Sequence, residues 1–169
     1  MTKTNKRKKV PIRYLPKNLS RKDKKKQGSM LQKSRNMYKK GKYYTRKRVS
    51  SFHSKPSSHI TDAQKMYHVE KIGATDELAK KTGCTKNALA KIISKGEGAY
   101  FSSGSRPNQT AQSWGIARLA SSITAGKAAA VDYSILKEGC KSGSKALRMA
   151  NKAKKEFGHG QKHVPKVSL

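Results

Sequence analysis

The side chains that most often carry chemistry are thinly spread in this sequence. Its histidines are His53, His59, His68, His159 and His163, and its cysteines are Cys84 and Cys140. A zinc site needs three or four such ligands brought together. His159 and His163 stand at i, i+4, a spacing that one helix face would align, but Gly158, Gly160 and Pro165 interrupt that helix. Apart from Glu156, no carboxylate or cysteine lies near them in sequence to complete a set. The cysteines have no CxxC partners, and the basic start Met1 to Lys9 is not followed by the apolar segment of a secretory signal. Both are therefore expected as free, buried thiols in a reducing compartment, with a disulfide as the alternative, and the sequon at Asn108 as unglycosylated. No Walker loop, Gly-x-Ser-x-Gly elbow or HExxH pair occurs, and Gly96-Glu97-Gly98 is too short to cradle a nucleotide. Catalysis needs a nucleophile, base or metal in a shaped pocket. The expectation is a protein that is not an enzyme, with no catalytic residue, cofactor, metal or small-molecule substrate.

Cationic chemistry, by contrast, is abundant. The chain carries 40 Lys+Arg against 9 Asp+Glu, a formal charge of +31. So lopsided a charge repels itself and calls for an anionic partner. Residues 1–55 hold 21 of the cations and one acid, Asp23, whereas residues 56–140 are only +4 and residues 141–169 are +7. The candidate polyanion contacts are the runs Lys6, Arg7, Lys8 and Lys9, then Arg21, Lys22, Lys24, Lys25 and Lys26, then Arg46, Lys47 and Arg48. Tyr14, Tyr38, Tyr43 and Tyr44 lie among them as candidate interface anchors, or as rings on which unpaired bases stack. Charge alone does not separate phosphates from carboxylates: DNA or RNA, an acidic protein face and an anionic membrane surface all fit. No apolar run reaches the roughly 18 residues of a membrane span, so any membrane contact is expected to be peripheral.

The elements that would carry these residues fall into three zones. Residues 1–58 read as a basic extended arm, too polar to offset the chain entropy of folding, with Pro11, Pro16 and Pro56 favouring extended backbone. On this reading only an anionic companion gives the arm a shape. Residues 59–157 read as a small multi-helix domain, so the expected class is mainly α, and residues 158–169 as a short basic tail. Thr61-Asp62-Ala63-Gln64 has capping-box form and opens a helix closing near Gly73. Ile116, Leu119, Ala120 and Ile123 mark one helical face, Ala128, Val131 and Ile135 a second, and Ala146, Met149, Ala150, Ala153 and Phe157 a third.

Within that domain, residues 75–95 fit a helix-turn-helix, with Ala79 as the small contact residue and Gly83 in the turn. Its second helix would offer Lys86, Asn87 and Lys91 to DNA, Asn87 towards an adenine edge and the lysines towards phosphate. A plain helical hairpin matches the same pattern. Residues 96–113 read as a polar loop in which Ala99-Tyr100-Phe101 is locally extended. Its Arg106, with Trp114 and Arg118 just beyond, would clamp an anion or a partner's backbone, or else pin the loop to its own domain; Arg118 is placed to stack or to pair with an acid.

The segment GEGAYFSSGSRPNQTAQSWGIARLASSITAGKAAAVDYSIL, and above all its SGSRPNQT…SWG core, resembles an uncharacterised domain family of large double-stranded DNA viruses of algae and protists. The resemblance spans roughly residues 71–140 and transfers no catalytic residue. It implies a virion protein assembled in the host cytoplasm, and for a small basic member a minor capsid protein. Its arm would thread between major and other minor capsid proteins and cement them. A nucleic-acid-binding or genome-condensing protein is the alternative.

Overall fold

The computed structural model describes residues 9–159 and 164–169. In chain order these residues form β1 (Lys9–Pro11), α1 (Arg21–Lys39), α2 (Ser58–Tyr67), α3 (Asp76–Thr82) and α4 (Lys86–Ser102). Then come α5 (Ala111–Ser122), α6 (Lys127–Val131), α7 (Tyr133–Gly139), α8 (Lys145–Phe157) and β2 (Lys166–Ser168). The fold is mainly α. It divides into a first unit of residues 1–54, 99–110 and 163–169, and a second of residues 55–98 and 111–162.

The second unit is a conventional apolar core. Leu78, Leu89, Ile92, Leu119, Ile123 and Leu136 are fully buried in it. Thr75 caps α3 by accepting from the Leu78 amide at 3.1 Å, and Asp76 and Glu77 in the first turn suit the positive end of the helix. Gly83 then closes α3 in the left-handed region. Ser144 caps α8, whose Ala146, Ala150 and Ala153 form a buried small-residue stripe against α6 and α7. α2 opens earlier than its capping box suggests, after Ser57, and ends at Tyr67, where His68 takes a left-handed conformation. There the Val69 amide turns back to the Gln64 carbonyl at 3.1 Å, and the buried Tyr67 hydroxyl donates to the Ile123 carbonyl at 2.6 Å. Burial also pushes its pKa well above the ordinary tyrosine value.

Three expectations for this region are corrected. The cysteines are not free thiols: Cys84 and Cys140 form a disulfide. The turn after α3 and the end of α7 run antiparallel, with the Thr85 amide donating to Gly139 and the Lys141 amide to Gly83, each at 2.8 Å. Residues 56 apart in sequence are thereby placed side by side, so the reducing compartment loses its sequence-level support. Next, α4 does not end at Gly96 and Ala99-Tyr100-Phe101 is not extended; the helix runs on to Ser102. A Cβ on Gly96 would lie 2.6 Å from Gly115 Cα, and one on Gly115 2.6 Å from the Ile93 carbonyl oxygen. These glycines serve a close helix crossing of α4 and α5, not a turn. Finally, the single helix expected over residues 128–139 breaks at the fully buried Asp132 into α6 and α7.

The first unit departs furthest from expectation. Its leader is not an extended arm: 19 of its residues form α1, capped by Ser20, whose hydroxyl accepts from the Asp23 amide at 3.1 Å. α1 buries Asp23, Gln27, Met30, Leu31 and Ser34. That stripe has helical spacing, but three of its five members are polar, so no hydrophobic period announces it. Nor is the end of the chain a bare tail. β2 pairs antiparallel with β1 in the register Lys9 to Ser168, Val10 to Val167 and Pro11 to Lys166, and Val10 is fully buried.

Candidate polyanion-binding surface

The first unit contains 22 Lys and Arg and one acid, Asp23. One of these cations, Arg46, is turned into the unit's interior. Expected among the partner contacts, Arg46 is instead 7% exposed. Its guanidinium donates to Ser34 Oγ at 2.9 Å, the Tyr100 carbonyl at 2.8 Å and Ser105 Oγ at 2.8 Å. It also lies 3.8 Å over the Tyr100 ring, and its backbone amide donates to the Tyr100 hydroxyl. No carboxylate pairs with it among the described residues. Burial lowers its pKa from the usual arginine value, yet a guanidinium stays charged under any ordinary condition. A buried cation is tolerated when its donors are satisfied, and here neutral oxygens and a ring face do so.

The SGSRPNQT motif builds the other half of this centre. Gly104 sits at φ +130°, and a Cβ there would meet Leu31 at 2.8 Å and Tyr14 at 3.0 Å, so only glycine fits. Ser105 is buried, accepting from Arg46 and donating to the Arg106 carbonyl. Asn108 grips residues 49–52: its Oδ1 accepts from the Val49 amide at 2.7 Å, and its Nδ2 donates to the Val49 and Phe52 carbonyls. Arg35 donates to the Ser103 carbonyl at 2.8 Å. The motif therefore shapes the leader that the sequence alone leaves without a folding partner. The signal was present as a run of turn formers and side-chain donors; the residues it holds lie more than fifty positions away.

Asp23 is spent internally too. It is 6% exposed and accepts from the Ser51 amide at 2.8 Å. Hydrogen bonds from the Ser51 side chain and backbone hold its pKa below the ordinary carboxylate value, with Lys26 adding to the effect.

The other described cations of the expected runs face solvent. Lys9, Arg21, Lys22, Lys24, Lys25, Lys26, Lys47 and Arg48 are all exposed; Lys6, Arg7 and Lys8 lie outside the described residues. Lys26 donates to the Arg48 carbonyl at 3.0 Å, holding two of the runs together. The tyrosines divide by role. Tyr14 is buried, whereas Tyr43 is 70% exposed and Tyr38 40%. Tyr43 packs on Tyr38 and on Phe101, at ring-centroid separations of 6.3 and 5.0 Å. Tyr44 carries the Lys33 ammonium 4.4 Å above its ring.

The other expected sites lie in the second unit, apart from Arg106, which is exposed in the first. Lys86, Asn87 and Lys91 are exposed on the opening turns of α4. Lys86 pairs with Asp76 at 3.3 Å, both largely in water, a contact of small energy. Arg118 has taken an acid: its Nε and Nη2 bind the two oxygens of Asp132 at 2.8 and 2.7 Å, while Lys95 Nζ approaches at 3.4 Å and Ser122 donates at 3.3 Å. Arg118 is thus engaged by an acid of its own unit, Trp114 is half-buried in that second unit, and Arg106 belongs to the first. Among the described residues no His, Cys, Asp and Glu group of three or more is placed to hold a metal, and no helix is long and apolar enough to cross a membrane. His163 lies outside the described residues.

Over residues 11–139 the chain matches a family described as a family of unknown function (DUF5824), and it belongs to that family. The match begins well before the segment that carries the resemblance in sequence and takes in all of α1, so the leader is part of the family's domain. No curated protein and no solved structure matches the chain.

Proposed function

We propose that this member of the DUF5824 family is a non-enzymatic assembly protein of a virus particle, a minor capsid protein that cements acidic faces of neighbouring capsid subunits. The viral setting rests on the sequence resemblance. The mode of binding rests on one observation: a unit with 22 Lys and Arg has a single acid, and that acid is buried and bonded internally. Its cations thus have almost no internal counter-charge and are available to an outside one. Because the leader is folded on Arg46 and the 103–108 loop, it acts as a rigid cationic body and not as a thread. The loss of entropy on binding is correspondingly smaller than for a disordered arm.

Nuclease treatment of purified particles tests this reading. The protein is expected to stay with the shells after the genome is digested; release of every copy with the nucleic acid would refute it.

A second reading has its own support. Lys86, Asn87 and Lys91 are exposed on a helix that follows a tight glycine turn, as a groove-reading helix would be. Replacing Asn87 and Lys91 by Ala would then reduce discrimination between DNA sequences. An unchanged preference, or none in the parent protein, removes this reading.

A further inference from the structure

The geometry points to a docking groove along α1 that takes an acidic, amphipathic helical segment of a partner protein, an inference that rests on the cationic-unit reading above. The first unit holds an open groove of about 920 Å³. Its rim carries Lys24, Lys25, Lys33 and Lys40, all exposed, and no acidic side chain lines it. Its floor is apolar, made by Leu15, Met37 and Leu169. Along the helix, Lys25, Gly28, Gln32, Lys33, Asn36 and Lys40 follow i, i+3, i+7, i+8, i+11 and i+15, one face about 22 Å long.

Gly28 lies on that face, one turn in from its start, and neither its backbone angle nor a close neighbour requires glycine there. Its φ is an ordinary one, and an added Cβ would meet nothing closer than Leu169 Cδ2 at 4.0 Å. Glycine in a helix interior is unfavourable relative to alanine. The glycines at 96, 104 and 115 are each explained by an atom that a Cβ would strike; Gly28, like Gly98 in α4, meets none, and on this proposal Gly28 makes room for the arriving helix. A small residue on a helix face lets a second backbone approach closely.

The chemistry of the groove selects the occupant. Lysines along the rim call for carboxylates or phosphates, but an aliphatic and thioether floor calls for apolar side chains, which a phosphodiester chain lacks. No aromatic ring lines the groove for bases to stack on. A second copy of this chain is excluded by charge, since two bodies of +31 repel. A helix with Glu or Asp on its flanks and Leu-like anchors at i, i+3/i+4 and i+7 meets both demands.

Fluorescence anisotropy on the full chain tests this at about 0.15 M salt. The probes are a Glu-rich amphipathic peptide of about 18 residues with Leu anchors, a peptide of equal charge with Ser in place of Leu, and a duplex DNA. The Leu peptide is expected to bind about tenfold more tightly than the Ser peptide. Gly28→Leu is expected to erase that difference and leave the Ser peptide and DNA unchanged. Gly28→Ala, which favours the helix, is expected to raise Tm while weakening the Leu peptide several-fold, and this keeps the test sound if the larger residue disturbs folding. Equal binding of the two peptides, or indifference to both Gly28 variants, overturns the groove while leaving a charge-driven cationic unit standing. Weakening of DNA by Gly28→Leu makes the groove a nucleic-acid site and also overturns the proposal. Failure of every anion to bind removes the cationic-unit reading as well.

Discussion

The two units solve opposite problems. The second has 18 Lys and Arg against 8 acids, an apolar core and a disulfide, and its buried acid, Asp132, is matched by Arg118 and Lys95. The first has 22 cations against one acid, and its core is built around a buried cation with no carboxylate beside it. One unit folds because enough apolar surface is available. The other also buries Val10, Tyr14, Leu15, Met30, Leu31 and Val49, and adds to them a guanidinium held by two serines and the Tyr100 carbonyl, with Asn108 fixing the backbone of residues 49–52. The consequence is that the first unit's exposed cations have almost no internal counter-charge, whereas in the second Lys86, Lys95 and Arg118 are paired to acids.

That contrast is open to attack at its strongest point first. Reducing the disulfide, or replacing Cys84 and Cys140 by Ala, releases a closed loop of some 57 residues and is expected to cost about 4 kcal/mol. The loss should appear in the second unit, seen as faster hydrogen exchange in α3, α5 and α8, while α1 keeps its protection. Equal loss of protection in α1 would show that the units do not stand on separate foundations.

Arg46→Met comes next. It leaves Ser34, Ser105 and the Tyr100 carbonyl without their shared donor, so about 3 kcal/mol is expected to be lost, now in α1 and not in α5. Arg46→Lys should rescue little, because an ammonium lacks the planar fork. Full rescue by Lys would mean that charge alone matters there.

Asn108→Ala should cost about 2 kcal/mol, since three backbone groups of residues 49–52 lose their partner at once. Thermal unfolding followed by circular dichroism measures it; a change within error would relieve the loop of its organising role.

The smallest effect concerns acid. Folding holds the Asp23 pKa below its ordinary value of 3.8, so its contribution to stability is whole above that pH and drains away as pH falls below it. Asp23→Asn should flatten the first unit's loss of stability below about pH 4 without altering the second unit's. A steeper acid limb in the variant would reverse the sign of that argument.

How much of this was legible beforehand depends on the kind of residue that carries each element. α5 and α8 were readable because Leu119, Ile123, Ala146 and Ala153 repeat on a helical period and are buried as that period requires. α1 was not, because Gln27 and Ser34 occupy core positions and look like surface. Asp132 was invisible as a helix break, since nothing local distinguishes it from an exposed aspartate. The candidate surface was half visible: every exposed lysine of the runs was named, yet Arg46 was placed on the wrong side of the boundary. Lys33 and Lys40, now on the groove, stood outside any run.

Composition and periodicity by themselves determined the mainly helical class, the surplus of positive charge and where along the chain it lies. These are local properties, present in any window of residues. Only the tertiary structure decided that the leader folds, that Cys84 meets Cys140, and that Arg46 turns inward. Each of those depends on a partner distant in sequence, and a buried polar group declares itself only when the donors and acceptors that satisfy it have come within hydrogen-bond reach.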